Sequence, residues 1–437
     1  MDIKSNIWKL YISRFFRGLI PAYAIEMLFF EQRGMTIQTL VYIEIIYAIT
    51  VVLLEIPSGI ISDRYGYKRM LVFSGILACL EFIILLHSHA FIHFAIVVIM
   101  AGIGKCACSG SENALLYESL RSIGKEQDFE GHVGRLNAMD FTAVVIAALA
   151  GGMLAGRYGF ELNYVISAVS MFLSLLITIM MREPSNTGKF PDGRGMGTDG
   201  YFPFKKYAAS SVRFFREEPG VSIVLLAGMI TGATLNFLEE FWQIYFERLR
   251  IPVAWYGVFL SFFILLKLPG NILASVFRKR FGLRIILSGV AAVFAAGFIY
   301  MSLSQDSSSL AALAVVGLFS GITDPLIIGY LHHKICDNDM RATIESFQSL
   351  GLKGFTALTG IGFGYVSQRF DIFGGYGFAG IVCAAFLIYF IVASRKVTER
   401  EPKQDSQAGI KTGKTRTMQD SRAGTEIGLS DREPHAK

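Results

Sequence analysis

Residues 59–71 read GIISDRYGYKRML, and this short segment places one acid, Asp63, and three bases, Arg64, Lys68 and Arg69, between two long apolar runs. Gly59 and Gly66 permit a tight connection and a close approach of the flanking segments. The bases suit the side of a membrane on which positive charge is retained. Asp63 does not follow from topology, because the rule that orients membrane proteins counts Lys and Arg.

The remainder of the chain explains why a membrane enters the argument. Its 437 residues are 53% hydrophobic and 17% charged, with a mean hydropathy of +0.47, too apolar for an ordinary soluble domain. Runs long enough to cross roughly 30 Å of hydrocarbon as helices recur along it. They fall at 7–30, 37–61, 70–88, 91–119, 137–157, 161–181, 219–246, 255–277, 284–303, 309–334, 343–368 and 374–394, twelve in all. Lipid offers backbone amides no partner, so each run is expected to be helical. With a cytoplasmic N-terminus, Arg64, Lys68, Arg69, Arg121, Lys125 and Arg278 fall among many inner-loop bases, while the outer loops keep few, such as Arg33 and Arg248. Both termini are thus expected in the cytoplasm. The net charge of +6 is absorbed by this inner rim facing anionic headgroups, and no nucleic acid is implied.

Ala22-Tyr23-Ala24 has the look of a signal cleavage site, but Arg14 and Arg17 interrupt the apolar region before it, so the first span is read as a retained anchor. The five cysteines lie in or at the ends of spans, against a disulfide framework. His87, His89 and His93 sit in a short outer turn as solvated imidazoles, and Cys106 and Cys108 read as small buried thiols. Gly104-Lys105-Cys106 lacks the first glycine and the Ser or Thr of a phosphate loop. No cofactor and no metal is expected.

Polar, Gly-rich sequence after Arg182 divides the chain into a first bundle at 1–182, a cytoplasmic linker at 183–218, a second bundle at 219–394 and a polar, disordered tail at 395–437. The halves look related: Arg64-Tyr65-Gly66-Tyr67-Lys68 follows the second span and Arg280-Phe281-Gly282-Leu283-Arg284 the eighth. Repeated halves point to a transporter with its site between them.

With the motif Gly59-x-x-x-Asp63-Arg64-x-Gly66-x-Lys68-Arg69 between spans two and three of twelve, the chain resembles the major facilitator superfamily. Ser109 to Tyr117 and Arg341-Ala342-Thr343-Ile344 are similar to segments of bacterial members. The resemblance implies an all-α membrane protein of twelve helices in two pseudo-symmetric six-helix bundles, acting in the cell membrane as a monomer and not as an enzyme. It also implies that Gly59, Asp63, Arg64, Gly66, Lys68 and Arg69 form a conformational latch. Asp63 would meet the positive start of helix eleven, near Ala342 and Thr343, when the cytoplasmic side closes.

An ionisable side chain in hydrocarbon is costly unless it faces a cavity or a partner. The resemblance makes helices one, four, seven and ten the cavity walls, and these carry Arg14, Arg17, Glu26, Lys105, Glu112, Glu239, Glu240 and Asp324. Lys105, Ser109 and Glu112 share one helix face, as do Asn236, Glu240 and Gln243. Trp242, with Tyr245 and Tyr23, lies near the acids, where aromatic faces hold lipophilic cations. Asp140, Lys267 and Lys353 read as structural inter-helix pairs.

These residues point to a secondary transporter of a small molecule, with protons and the bilayer as its other partners, and foremost to proton-coupled efflux of a lipophilic or cationic compound. Two departures separate the chain from drug antiporters of the superfamily: Val98 stands where helix four often carries Arg, and Ala147-Ala148-Leu149-Ala150-Gly151-Gly152 replaces Gly-Pro-x-x-Gly-Gly. A metabolite or anionic solute held by Arg14, Arg17 or Lys105, and a non-transporting membrane sensor, remain as alternatives.

Overall fold

A computed structural model describes residues 3–184, 219–334 and 338–400, with backbone alone for Ile56, Pro219, Asp324, Ile328, 331–334, 338–348 and 395–400. Most of the expected linker and tail, and the side chains at the start of the eleventh span, lie outside the described residues. The first half comprises α1 (Ser5–Gly18), α2 (Glu26–Gln32), α3 (Ile37–Tyr65), α4 (Tyr67–Leu86), α5 (Phe91–Arg121), α6 (Phe129–Tyr158) and α7 (Glu161–Ile179). The second comprises α8 (Pro219–Arg248), α9 (Tyr256–Arg280), α10 (Leu283–Leu303), α11 (Ser309–Lys334) and α12 (Asn338–Arg400).

Ten of the described segments are long and apolar enough to cross a membrane. The last holds two crossings, because α12 leaves helical geometry at Phe370 and Asp371. The first crossing differs from the continuous 7–30 helix expected: it breaks after Gly18, passes through a short 3-10 turn at Pro21–Ala24, and resumes at Glu26. With the broken pair α1–α2 counted as one crossing, the architecture is consistent with twelve. A break inside a bilayer is tolerated only where other groups satisfy the freed backbone. Here the Ala22 N–H donates to Ser167 Oγ at 3.2 Å and the Met27 N–H to Gln243 Oε1 at 2.9 Å.

The α3–α4 turn defines one face of the molecule, called the basic face below. Helix α3 starts on the opposite face, where Thr36 and Thr39 cap it reciprocally. It ends at Gly66, whose φ of +101° is costly for a residue with Cβ. Helix α4 then begins with its first amides, Tyr67 and Lys68, donating to the Glu183 carboxylate at 2.8 and 3.0 Å. A Cβ at Gly66 would lie 2.8 Å from Glu183 Oε2, so the glycine also makes room for this cap.

The two halves are joined toward the opposite face. At the α6–α9 contact a Cβ on Gly257 would stand 1.9 Å from the Ala148 carbonyl oxygen, so only glycine permits this backbone approach. Gly360 of α12 packs on Val41 of α3, and Gly364 on Gln38. At the rim, Arg248 at the end of α8 pairs with Glu31 at the end of α2, and its Nε donates to Asp371 Oδ2 at 2.6 Å. Nearer the basic face, Lys105, Ser109 and Asn113 of α5 and Asn137 of α6 are exposed.

Candidate substrate site between the halves

Four carboxylates from four helices meet where the halves join: Glu26 of α2, Glu44 of α3, Glu81 of α4 and Glu240 of α8 interact electrostatically. Their depths agree. Glu44 is seven residues from the start of α3, Glu81 five from the end of α4 and Glu240 eight from the end of α8. At 1.5 Å per residue, these place them about 7 to 12 Å inside the opposite face. All four are half-buried, and among the described residues none has a hydrogen-bond or ion-pair partner. Tyr23 and Tyr47 interact with the same acids, and Tyr23 is 46% exposed. The site is therefore rich in carboxyl groups and bordered by phenol rings.

The sequence singled out Glu26 and Glu240 but not Glu44 or Glu81. Attention rested on helices one, four, seven and ten, whereas Glu44 and Glu81 belong to the second and third crossings. The signal was present in IEIIY and LEFII, each a single acid inside an apolar run.

The other expected residues distribute over three places. Glu239 pairs with Lys267 of α9 and is thereby held within the second half. Trp242 is 7% exposed, with ring centroids 5.1 Å from Phe246 and 5.4 Å from Tyr256. Tyr245 is buried and donates to the Met301 carbonyl at 3.0 Å. These two aromatics therefore pack the second half and do not flank the acids as the sequence suggested. The reason is angular: Trp242 is two positions from Glu240, about 200° around the helix. Gln243 stays on the face it shares with Glu240, but it is committed to backbone: its Nε2 donates to the Tyr23 carbonyl at 2.9 Å while Oε1 accepts from Met27. Asn236 is half-buried on α8, and the side chain of Asp324 lies outside the described residues.

Deeper toward the basic face, a second polar group joins α1, α5 and α6. Arg14 Nη1 lies 2.6 Å from Glu112 Oε2 and its Nε 3.0 Å from Asp140 Oδ1, and Arg17 also pairs with Glu112. Two bases thus meet two acids, a balanced set whose burial is offset by mutual pairing. Lys105, Ser109, Glu112 and Asn137 share with Arg14 the wall of a cavity of about 290 Å³.

In the 59–71 turn, Asp63 is exposed and accepts from the Tyr67 hydroxyl at 3.1 Å. Arg64 stacks over Tyr65 at 5.8 Å, Gly59 faces open space, and the role of Gly66 is fixed by the Glu183 cap.

Comparison with known proteins agrees with this architecture. The chain is 24% identical over 319 residues to the class C tetracycline resistance protein of Escherichia coli, covering 72% of this chain and 76% of that one. It is 29% identical over 136 residues to an uncharacterized transporter of Buchnera aphidicola, a match spanning 31% of this chain and only 33% of that protein. Among solved structures, the nucleoside transporter NupG superposes with a TM-score of 0.71 at 12% identity, covering 90% of this chain and 99% of the other, a likeness of fold. The sequence model described as Major Facilitator Superfamily matches residues 10–344. The chain is thus a multi-pass membrane transporter, not an enzyme, and it belongs to the Major Facilitator Superfamily.

Proposed function

We propose that this transporter exports a lipophilic cation across the cell membrane in exchange for protons. The observation that carries the reading is the electrostatic grouping of Glu26, Glu44, Glu81 and Glu240 between the halves, with no ion-pair partner among the described residues. Carboxyl groups that repel one another when charged are relieved by protons or by a bound cation, so the two ligands compete for the same groups. Tyr23 and Tyr47 add ring faces suited to an organic cation. The similarity to a tetracycline resistance protein favours export.

Orientation follows from charge. The basic face carries Lys68, Arg69, Arg121, Lys125 and Arg278, which supports a cytoplasmic location for it and for both termini. The named contacts between the halves lie on the other side, so the described conformation reads as closed outward and open inward. Asp63, exposed here, would engage the start of the eleventh crossing when the cytoplasmic side closes and favour the outward-open state. The protein works as a monomer in this scheme, each chain holding a complete site.

An anionic solute is less favoured because Arg14 and Arg17 are committed to Glu112 and Asp140, leaving Lys105 on the cavity wall. The test is transport of a panel of cationic, neutral and anionic compounds in proteoliposomes with an imposed proton gradient. Gradient-driven movement of lipophilic cations is the expected result. Movement of anions would select the alternative, and no movement of any compound would favour a sensor.

A further inference from the structure

Between α4 and α7, at the basic face, lies a groove of about 610 Å³ lined by Lys68, Arg69, Arg182, Glu183, Val72 and Ile179. The Glu183 carboxylate is engaged by the first amides of α4. Among the described residues, the side chains of Lys68, Arg69 and Arg182 have no acidic partner. Three cations therefore line one groove with the acid beside them already occupied. Val72 lies one helical turn deeper than Lys68, and Ile179 three residues before Arg182. Further along the same two helices, Phe73, Ile76, Leu173 and Leu176 are exposed, as apolar residues facing lipid are. The helices close on each other at Gly75, where a Cβ would stand 3.0 Å from Leu175.

A rim of cations with no acidic partner among the described residues, above an apolar cleft, matches one kind of molecule, an anionic phospholipid of the surrounding bilayer. We propose that the groove binds such a lipid, with its phosphate among Lys68, Arg69 and Arg182 and an acyl chain along Val72 and Ile179. Cationic pockets between transmembrane helices at the inner leaflet attract anionic headgroups, and each base near the surface contributes to the attraction. The assignment is independent of what the protein transports. It also gives Lys68 and Arg69 a role that topology alone does not require.

The test is native mass spectrometry of the full chain in detergent, titrated with phosphatidylglycerol, phosphatidylcholine or glycerol phosphate. Phosphatidylglycerol is expected to bind most tightly, and the triple variant Lys68→Ala, Arg69→Ala, Arg182→Ala to lose on the order of a hundredfold in affinity. Because that variant removes three charges, Ile179→Trp serves as a second probe, expected to weaken the lipid by filling the cleft with the cations intact. Retention of Arg69→Lys and Arg182→Lys binding near the wild-type level is also expected. Equal affinity for phosphatidylcholine, equal affinity for chain-free glycerol phosphate, or undiminished lipid binding by both the triple variant and Ile179→Trp would overturn the proposal.

Discussion

Gln243 donates to the Tyr23 carbonyl at 2.9 Å across the boundary between the halves, and the same amide accepts from Met27 on the far side of the break in the first crossing. One side chain of α8 thus satisfies the backbone of a broken helix more than two hundred residues earlier in the chain. The bonds exist only while the halves are closed at this face.

Gln243→Leu is accordingly expected to free two buried backbone groups, at about 1–3 kcal/mol. It should shift the population toward opening at the opposite face. Spin labels on the exposed Gln32 and Trp255 positions read this as a longer distance in the variant. An unchanged distance distribution would show that the break is held by other contacts.

Arg248 contributes at the rim of the same face. Arg248, Glu31 and Asp371 are a quarter to two-fifths exposed, so solvent screens their pairing. Arg248→Gln should cost the closed state about 1 kcal/mol, roughly a fivefold change in population. Raising the salt concentration should partly reproduce the effect in the wild type but not in the variant, as followed by the same label pair.

The turn between α3 and α4 is also a determinant of stability. Gly66→Ala meets both an unfavourable φ and the Glu183 carboxylate, at about 1–3 kcal/mol. Glu183→Gln keeps an acceptor but loses charge at the start of α4, at about 0.3–1 kcal/mol. Thermal unfolding in detergent should therefore rank Gly66→Ala below Glu183→Gln and both below the wild type.

Asp63→Asn keeps size and removes charge. If the carboxylate serves as an inner latch, labels on the basic-face ends of α3 and of the first crossing of α12 should report a larger fraction open at that face, with slower cycling and little change in substrate affinity. An unchanged fraction between α3 and the first crossing of α12, with full transport, would leave the turn as a topology signal.

The apolar runs made the helices legible because hydrocarbon thickness and backbone satisfaction leave few alternatives. The break at residues 19–25 was not legible, although Pro21 marks it, because the groups that make it tolerable come from α7 and α8. Glu26 and Glu240 stood out as buried acids. Trp242 misled because nearness in sequence was read as nearness in space, whereas Glu239 and Trp242 share the face turned into the second half and Glu240 and Gln243 the face turned to the first. Glu44 and Glu81 belong to the site because the fold brings them within electrostatic reach of Glu26, and Glu44 also of Glu240.

The central claim is that protons and a cation compete for Glu26, Glu44, Glu81 and Glu240. It is tested most directly by the affinity of the purified protein for the lipophilic cation tetraphenylphosphonium as a function of pH, in the wild type and in Glu44→Gln, Glu81→Gln and Glu240→Gln. Cation binding should release protons, so wild-type affinity should weaken as pH falls, by up to roughly tenfold per pH unit for each proton displaced. Each amide removes one competing site, and the slope should flatten along with the affinity. Wild-type binding independent of pH, or a slope in all three variants equal to that of the wild type, would contradict the account.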